Sequence, residues 1–214
     1  MDGDDWIDLK LRTPFLMNIS GCAGSGKSTL ISQIIKNRQQ LIDEDLKNIY
    51  YIYNIDNIGL HEFRVEHPEI IFSPTIPQHD LSDSLIILDD FHQEMETSLN
   101  DYITRLAIKD RTHKNLSVIV TTHNLYGRNL RTFNLNCTYL VLFKFPRDRS
   151  VVQVLGSQIL PGKKQFISST YDFCMNLRRH GYIVFDFSPT QNDRFRLRSS
   201  LFPDEYCYTF TPSY

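Results

Sequence analysis

The stretch 21–28 constrains the fold more than any other part of the sequence. It reads Gly-Cys-Ala-Gly-Ser-Gly-Lys-Ser and matches the pattern G-x-x-x-x-G-K-[ST] of a nucleotide phosphate-binding loop. The apolar run 15–19 before it predicts a short buried strand, and the apolar positions after it have helical spacing. Because strand, loop and helix follow one another in this order, an ordinary glycine-rich turn before a helix explains the pattern less well.

Such a loop holds phosphate mainly through its backbone. Successive N–H groups point at one anion, and the helix N-terminus adds partial positive charge. We expect Lys27 to reach the β and γ phosphates as a catalytic residue, and the Ser28 hydroxyl to bind Mg²⁺. The predicted cofactors are therefore ATP and Mg²⁺. The predicted nucleotide-binding residues are Gly21, Cys22, Ala23, Gly24, Ser25, Gly26, Lys27, Ser28 and Thr29.

Two consecutive carboxylates follow a second apolar run. The run 85–88 predicts a strand buried on both faces, as in a parallel sheet, and Asp89 and Asp90 come directly after it. We expect Asp89 to hold Mg²⁺, directly or through water, and Asp90 to orient and deprotonate the attacking water. One aspartate here would be explained as a helix N-cap. Two in succession, downstream of a phosphate-binding loop, favour hydrolysis.

A third apolar segment, 116–122, also ends in polar residues. Thr122, His123 and Asn124 are the candidates for sensing the γ-phosphate from the strand beside the two aspartates. The alternative is that these residues cap the next helix. We favour sensing for His123, and both explanations stay open for Asn124.

Charge is distributed unevenly along the chain. The net charge is −2, but residues 1–101 carry −11 and residues 102–214 carry +9. The basic half predicts a nucleic-acid or partner-facing surface, or one side of an acid–base contact between identical subunits. Within it, Arg131 and Arg147 are candidates for an arginine that stabilises a neighbouring subunit's ATP, the alternative being solvated loop arginines. The candidate DNA contacts are Lys163, Lys164, Arg194 and Arg196.

The length and composition of the chain limit the classes of protein to which it can belong. A chain of 214 residues with 41% hydrophobic residues predicts a single domain, 14–214, preceded by an acidic extension, 1–13. No apolar run approaches a membrane span and the acidic N-terminus is no signal peptide, so we expect neither membrane insertion nor secretion. The four widely spaced cysteines indicate reduced thiols rather than a zinc site.

Strand and helix patterns alternate, which predicts an α/β fold with a central, mostly parallel sheet flanked by helices. The alternation of apolar and basic residues over 195–198 predicts a last edge strand with one basic face. The predicted strands are 14–20, 48–54, 69–73, 84–89, 116–122, 138–144 and 182–187. The predicted helices are 27–40, 92–108 and 164–179.

Several segments together resemble the genome-packaging ATPases of Maverick/Polinton elements and virophages, which are similar to the poxvirus-type enzymes of the FtsK–HerA superfamily. The resemblance spans about 14–208, and its most specific part is 113–149. One departure is His123, where the family usually has Gln. The segments that carry the resemblance are the phosphate-binding loop, 88–91, 113–119, 122–126, 135–144, 181–186, 196–198 and 202–204.

This resemblance implies a P-loop NTPase of the RecA/FtsK–HerA-like, additional-strand class. It also implies ATP-driven translocation of double-stranded viral DNA into a preformed capsid by a homo-oligomeric ring, a pentamer or hexamer. The implied partners are duplex DNA and capsid vertex proteins, in the virion or the host cell interior (viral factory or nucleus). The alternatives are a P-loop nucleotide or small-molecule kinase and a scaffold that binds ATP without hydrolysing it.

Overall fold

The computed structural model describes residues 9–54, 56, 58–90, 111–126 and 130–212. The helix predicted over 92–108 lies outside them. The strands are β1 (Leu16–Ser20), β2 (Asn48–Ile52), β3 (Ile71–Ser73), β4 (Ser84–Leu88), β5 (Ser117–Thr122), β6 (Tyr139–Phe143), β7 (Tyr182–Asp186) and β8 (Leu197–Arg198). The helices are α1 (Lys27–Lys36), α2 (Arg38–Leu41), α3 (Ile58–Glu66), α4 (Arg111–Lys114), α5 (Leu130–Leu135), α6 (Ser150–Ile159) and α7 (Lys164–Leu177).

All eight described strands form one sheet in the order β3-β2-β4-β5-β1-β6-β7-β8. The pairs from β3 to β6 are parallel, whereas β7 and β8 are antiparallel to their neighbours. Strand β5 therefore lies between β1, which leads into the phosphate-binding loop, and β4, which leads into the two aspartates. The prediction of a mostly parallel α/β sheet is confirmed, and this inserted strand is the one that the additional-strand class implies.

The sheet divides the hydrophobic core into two layers. On β1, Met17 and Ile19 pack with Ile31 and Ile34 of α1 on one face, and Leu16 packs on the other. Strands β1, β4, β5, β6 and β7 are buried along their whole length, because helices cover both faces of a parallel sheet. The core therefore holds the carboxyl ends of β1, β4 and β5 side by side.

Local details differ from the predictions. The helix predicted over 27–40 breaks at Asn37 into α1 and α2, and the sequence analysis assigned no helix to α3, α4, α5 or α6. The basic edge-strand face is wrong. Residues 193–195 form a 3₁₀ turn, and Arg198 is fully buried against Asp186, 3.2 Å away. Its guanidinium also donates to the Leu9 carbonyl, so this charge points into the domain.

Two further expectations concern membrane insertion and the state of the cysteines. Among the described helices, none combines the length and apolarity needed to cross a lipid bilayer. All four cysteines lie in the described part of the chain, and none forms a disulfide there.

Candidate nucleotide-binding site

The phosphate-binding loop joins β1 to α1 at the carboxyl edge of the sheet. Its first residue is fixed to the neighbouring strand, since the Gly21 N–H donates to the Thr122 carbonyl over 3.1 Å. Gly24 and Gly26 have φ values of 73° and 110°, in the region that favours glycine. The sequence places glycines where this left-handed backbone is needed, so the loop can turn tightly into the N-terminus of α1.

Lys27 is folded against this loop. Its Nζ donates to the carbonyls of Gly21 (2.7 Å) and Cys22 (3.2 Å) and lies 3.3 Å from Nδ1 of His123. The residue is only 8% exposed. Burial lowers the Lys27 pKa, and the nearby charge of Asp90 opposes that shift. A buried ammonium held by two carbonyls is well placed to exchange those partners for a phosphate oxygen.

His123 connects Lys27 to Asp90. Its Nε2 lies 2.6 Å from Oδ1 of Asp90, while its Nδ1 faces the Lys27 ammonium. Because an ammonium only donates, Nδ1 accepts in this contact and the ring hydrogen is on Nε2, the nitrogen that lies close to Asp90. Sequence reasoning selected these three residues separately, and the structure brings them into one chain of close polar contacts.

Asp89 is held by two hydroxyl groups that the sequence analysis did not select. The Tyr51 hydroxyl donates to its Oδ2 over 2.5 Å, and the Thr121 hydroxyl donates to its Oδ1 over 2.8 Å. Thr121 also accepts the Asp90 N–H over 2.7 Å, and Asp90 has a φ of 57°. Burial, followed by the Asp89 charge, raises the Tyr51 pKa above its ordinary value. Tyr51 therefore remains a donor, and Thr121 links both aspartates.

A cavity of about 210 Å³ opens beside the two aspartates. Ser28 faces it from the start of α1, while α3 and the end of β2 form its opposite wall. Asn54, which follows β2, also lines it. The lining residues are Ser28, Tyr51, Tyr53, Asn54, Gly59, Leu60, Phe63, Asp89 and Asp90.

The residues present fit a nucleotide with its metal. Within the loop, Ser25 has a buried Oγ that meets no hydrogen-bond partner among the described residues, as expected of a group that faces a phosphate. Ser28 and Asp89 line the same cavity. Among the described residues, no three His, Cys, Asp or Glu side chains converge on a metal position. This fits Mg²⁺, which is commonly held by one or two protein groups together with substrate phosphates.

The other predicted residues lie outside this contact network. Thr122 is buried, and its hydroxyl contacts Asn18 and Ser20 rather than the aspartates. Asn124 is exposed and accepts the N–H of residue 126, which closes a short turn. Arg131 on α5 and Arg147 in the loop after β6 are both exposed. Neither arginine contacts Lys27 or the aspartates within the described part of the chain.

Known structures share this architecture, although no protein-family model and no curated protein sequence matches the chain. The DNA-packaging ATPase B204 of Sulfolobus Turreted Icosahedral Virus has a TM-score of 0.53 at 12% identity, over 94% of this chain and 98% of that one. The genome-packaging NTPase B204 of Sulfolobus turreted icosahedral virus 2, in complex with ATP-gammaS, has a TM-score of 0.50 at 11% identity, over 96% and 99%. The chain thus has the fold of these viral packaging ATPases, as the sequence resemblance implied.

Proposed function

We propose that this protein is an ATP-hydrolysing motor that translocates double-stranded DNA into a preformed capsid. The observation that carries the proposal is the chain from Lys27 through His123 to Asp90, beside an Asp89 held by two hydroxyls. A catalytic cation, a polar relay and a general base thus meet at one end of the phosphate-binding loop. The fold shared with two viral packaging ATPases supports the DNA-packaging role.

Hydrolysis would use these residues in separate roles. Backbone N–H groups from within 22–29 bind the phosphates, and Lys27 leaves the Gly21 and Cys22 carbonyls to face the γ-phosphate. Asp90 takes the proton of the attacking water. Ser28 and Asp89 would hold Mg²⁺, which neutralises charge on the phosphates.

His123 would report on the γ-phosphate through Lys27. While Lys27 faces the loop carbonyls, the imidazole is engaged at both nitrogens, by Lys27 and by Asp90. When Lys27 turns to the γ-phosphate, His123 loses one partner and its contact with Asp90 can change. We infer that the histidine, in place of the family's usual glutamine, couples nucleotide state to the position of the base.

Assembly and DNA contacts belong to the same proposal. A ring of identical subunits would let Arg147, in a loop at the carboxyl edge of the sheet, or Arg131 approach a neighbour's nucleotide. Lys163 ends the turn after α6 and Lys164 begins α7, at the end of the domain opposite the phosphate-binding loop, and Arg194 lies at that same end. We propose this end as the duplex-binding surface of a motor acting with capsid vertex proteins inside the virion or host cell.

Arg196 is a poor DNA contact. Its guanidinium donates to the Asp193 carboxylate and to the carbonyls of Asp186 and Ser188. Removing it would disturb the 3₁₀ turn as well as any DNA contact. The DNA test is therefore better made on the two lysines and Arg194.

The test is ATP hydrolysis measured with and without long duplex DNA, alongside the size of the assembly in solution. We expect DNA to stimulate hydrolysis, and the affinity for DNA to fall steeply with salt because the contacts are to phosphates. Joint substitution of Lys163, Lys164 and Arg194 by Ala should make the salt dependence shallower. Hydrolysis indifferent to DNA, together with phosphoryl transfer to a small acceptor, would instead identify a kinase.

A further inference from the structure

The turn between α7 and β7 contacts the phosphate-binding loop. His180 lies in this turn, and its Nδ1 is 3.1 Å from the Ser25 carbonyl oxygen. A carbonyl only accepts, so Nδ1 carries the hydrogen and donates it. The ring also lies close to Gly26, where an added Cβ would be 3.0 Å from the histidine's Cβ. A histidine 155 residues away in sequence thus touches the middle of the loop.

The turn is held firmly by its own neighbours. Arg178 donates to Glu205 (2.5 Å) and to the Ser199 carbonyl (2.6 Å), and its guanidinium lies 4.9 Å from the centre of the Tyr182 ring. Gly181 packs so closely that an added Cβ would be 2.3 Å from the carbonyl oxygen of Cys174. These contacts fix the backbone on both sides of the histidine, so its position against the loop is determined by the fold.

The position of this contact indicates which part of a nucleotide it would meet. In the sheet, β4 and β5 lie on one side of β1 and carry Asp89, Asp90 and His123, whereas β6 and β7 lie on the other side. The γ-phosphate must lie near the aspartates, because hydrolysis occurs there. The nucleoside end of the triphosphate then extends toward the opposite side of the loop, where His180 is exposed.

We propose that His180 binds the ribose of the bound nucleotide while it holds the phosphate-binding loop. Nδ1 donates to the Ser25 carbonyl, and Nε2, which meets no hydrogen-bond partner in the described part of the chain, accepts from a ribose hydroxyl. The ribose is the group attached directly to the triphosphate, so its hydroxyls are the nearest nucleoside donors. This inference rests on the proposed nucleotide binding and adds the nucleoside side of the site.

The decisive variant is His180→Asn, because an asparagine amide can donate from nearly the position of Nδ1 but lacks Nε2. Calorimetric titration of the full chain with Mg²⁺ and either ATP, 2′,3′-dideoxy-ATP or inorganic tripolyphosphate separates the two contacts. We expect His180→Asn to weaken the binding of ATP about fivefold, which is the effect of one hydrogen bond. The affinity for tripolyphosphate should stay unchanged. Wild type should bind the dideoxy nucleotide about as weakly as the variant binds ATP.

Two further variants complete the test. His180→Ala removes the loop contact as well and should weaken the binding of both ATP and tripolyphosphate. His113→Asn is the matched control, since His113 is exposed on α4 at the opposite end of the sheet, and it should change neither. Thermal unfolding of each variant verifies that it is folded.

Three results would overturn the ribose contact. The first is an equal loss of affinity for ATP and for tripolyphosphate in His180→Asn, and the second is unchanged ATP binding in that variant. The third is equal binding of ATP and its dideoxy analogue by wild type. Failure of wild type to bind any of the three ligands would instead contradict the proposed function.

Discussion

Replacing Thr121 by Val tests whether one hydroxyl positions both aspartates. Valine has nearly the shape of threonine, so the substitution removes two hydrogen bonds with little change in packing. The bonds are the one donated to Asp89 over 2.8 Å and the one accepted from the Asp90 N–H over 2.7 Å. The second bond fixes the N–H of Asp90, a residue whose backbone has a φ of 57°.

The expected cost follows from these two contacts. A hydrogen bond to a charged group contributes about 1.5–3 kcal/mol and an orphaned N–H costs about 1–3 kcal/mol, but Asp89 and Asp90 are only partly buried and water can replace part of each. We therefore expect the free energy of unfolding of Thr121→Val to fall by about 2 kcal/mol. The loss of control over the base should lower kcat by roughly ten- to a hundredfold, since small misplacements of catalytic groups have effects of that size.

The measurements are urea unfolding, nucleotide affinity by titration, and ATP turnover at saturating nucleotide. Nucleotide affinity should change little, because the phosphate-binding loop is untouched. Thr122→Val is the matched control: its hydroxyl is equally buried but contacts Asn18 and Ser20. It should lose comparable stability and keep its turnover per folded molecule. Thr121→Ser should behave like wild type, since it retains the hydroxyl.

Equal turnover in Thr121→Val and Thr122→Val would refute the reasoning, because both variants would then act only through stability. So would a Thr121→Val protein as stable as wild type, since the two hydrogen bonds would contribute nothing.

Three other substitutions have distinct expected outcomes. Asp90→Asn should bind Mg·ATP normally but hydrolyse it about 10²–10⁴-fold more slowly, measured by titration and single-turnover kinetics; normal turnover would remove Asp90 as the base. When Arg147→Ala is mixed in increasing proportion with wild type, total ATPase activity should fall by more than the fraction of variant subunits. A strictly linear loss of activity would argue against a role in a neighbour's site. The Lys47 ammonium and the Asn115 side-chain amide, both donating to Asp83, hold the pKa of that carboxyl below its usual 3.8. This stabilisation is present above pH 3.8 and disappears as the pH falls through the folded pKa. The free energy of unfolding of Asp83→Asn should therefore fall less steeply than that of wild type as the pH is lowered, and an equally steep fall would contradict this expectation.

The elements that the sequence analysis missed have weak local signals. Helix α6 contains three valines and a glycine, residues that disfavour helices when isolated, and it is stabilised by packing Val151, Val152 and Leu155 into the core. Helix α3 buries only Leu60, so no apolar stripe marks it. The basic edge-strand face failed because the alternation that suggested it says nothing about Asp186, the buried partner of Arg198. In each case the deciding partner comes from another element.

The sequence by itself determined the phosphate-binding loop, the pair Asp89 and Asp90, and the polar strand end with His123. Each of these signals lies within a few consecutive residues, where spacing and residue type suffice to predict it. Only the tertiary structure decided that Lys27, His123 and Asp90 form one chain. It also decided that Tyr51 and Thr121 hold the aspartates and that His180 reaches the loop. The physical reason is strand order and register: the pairing of Leu88 with Val120 brings Thr121 beside Asp89, and no local pattern encodes a contact between strands so far apart in sequence.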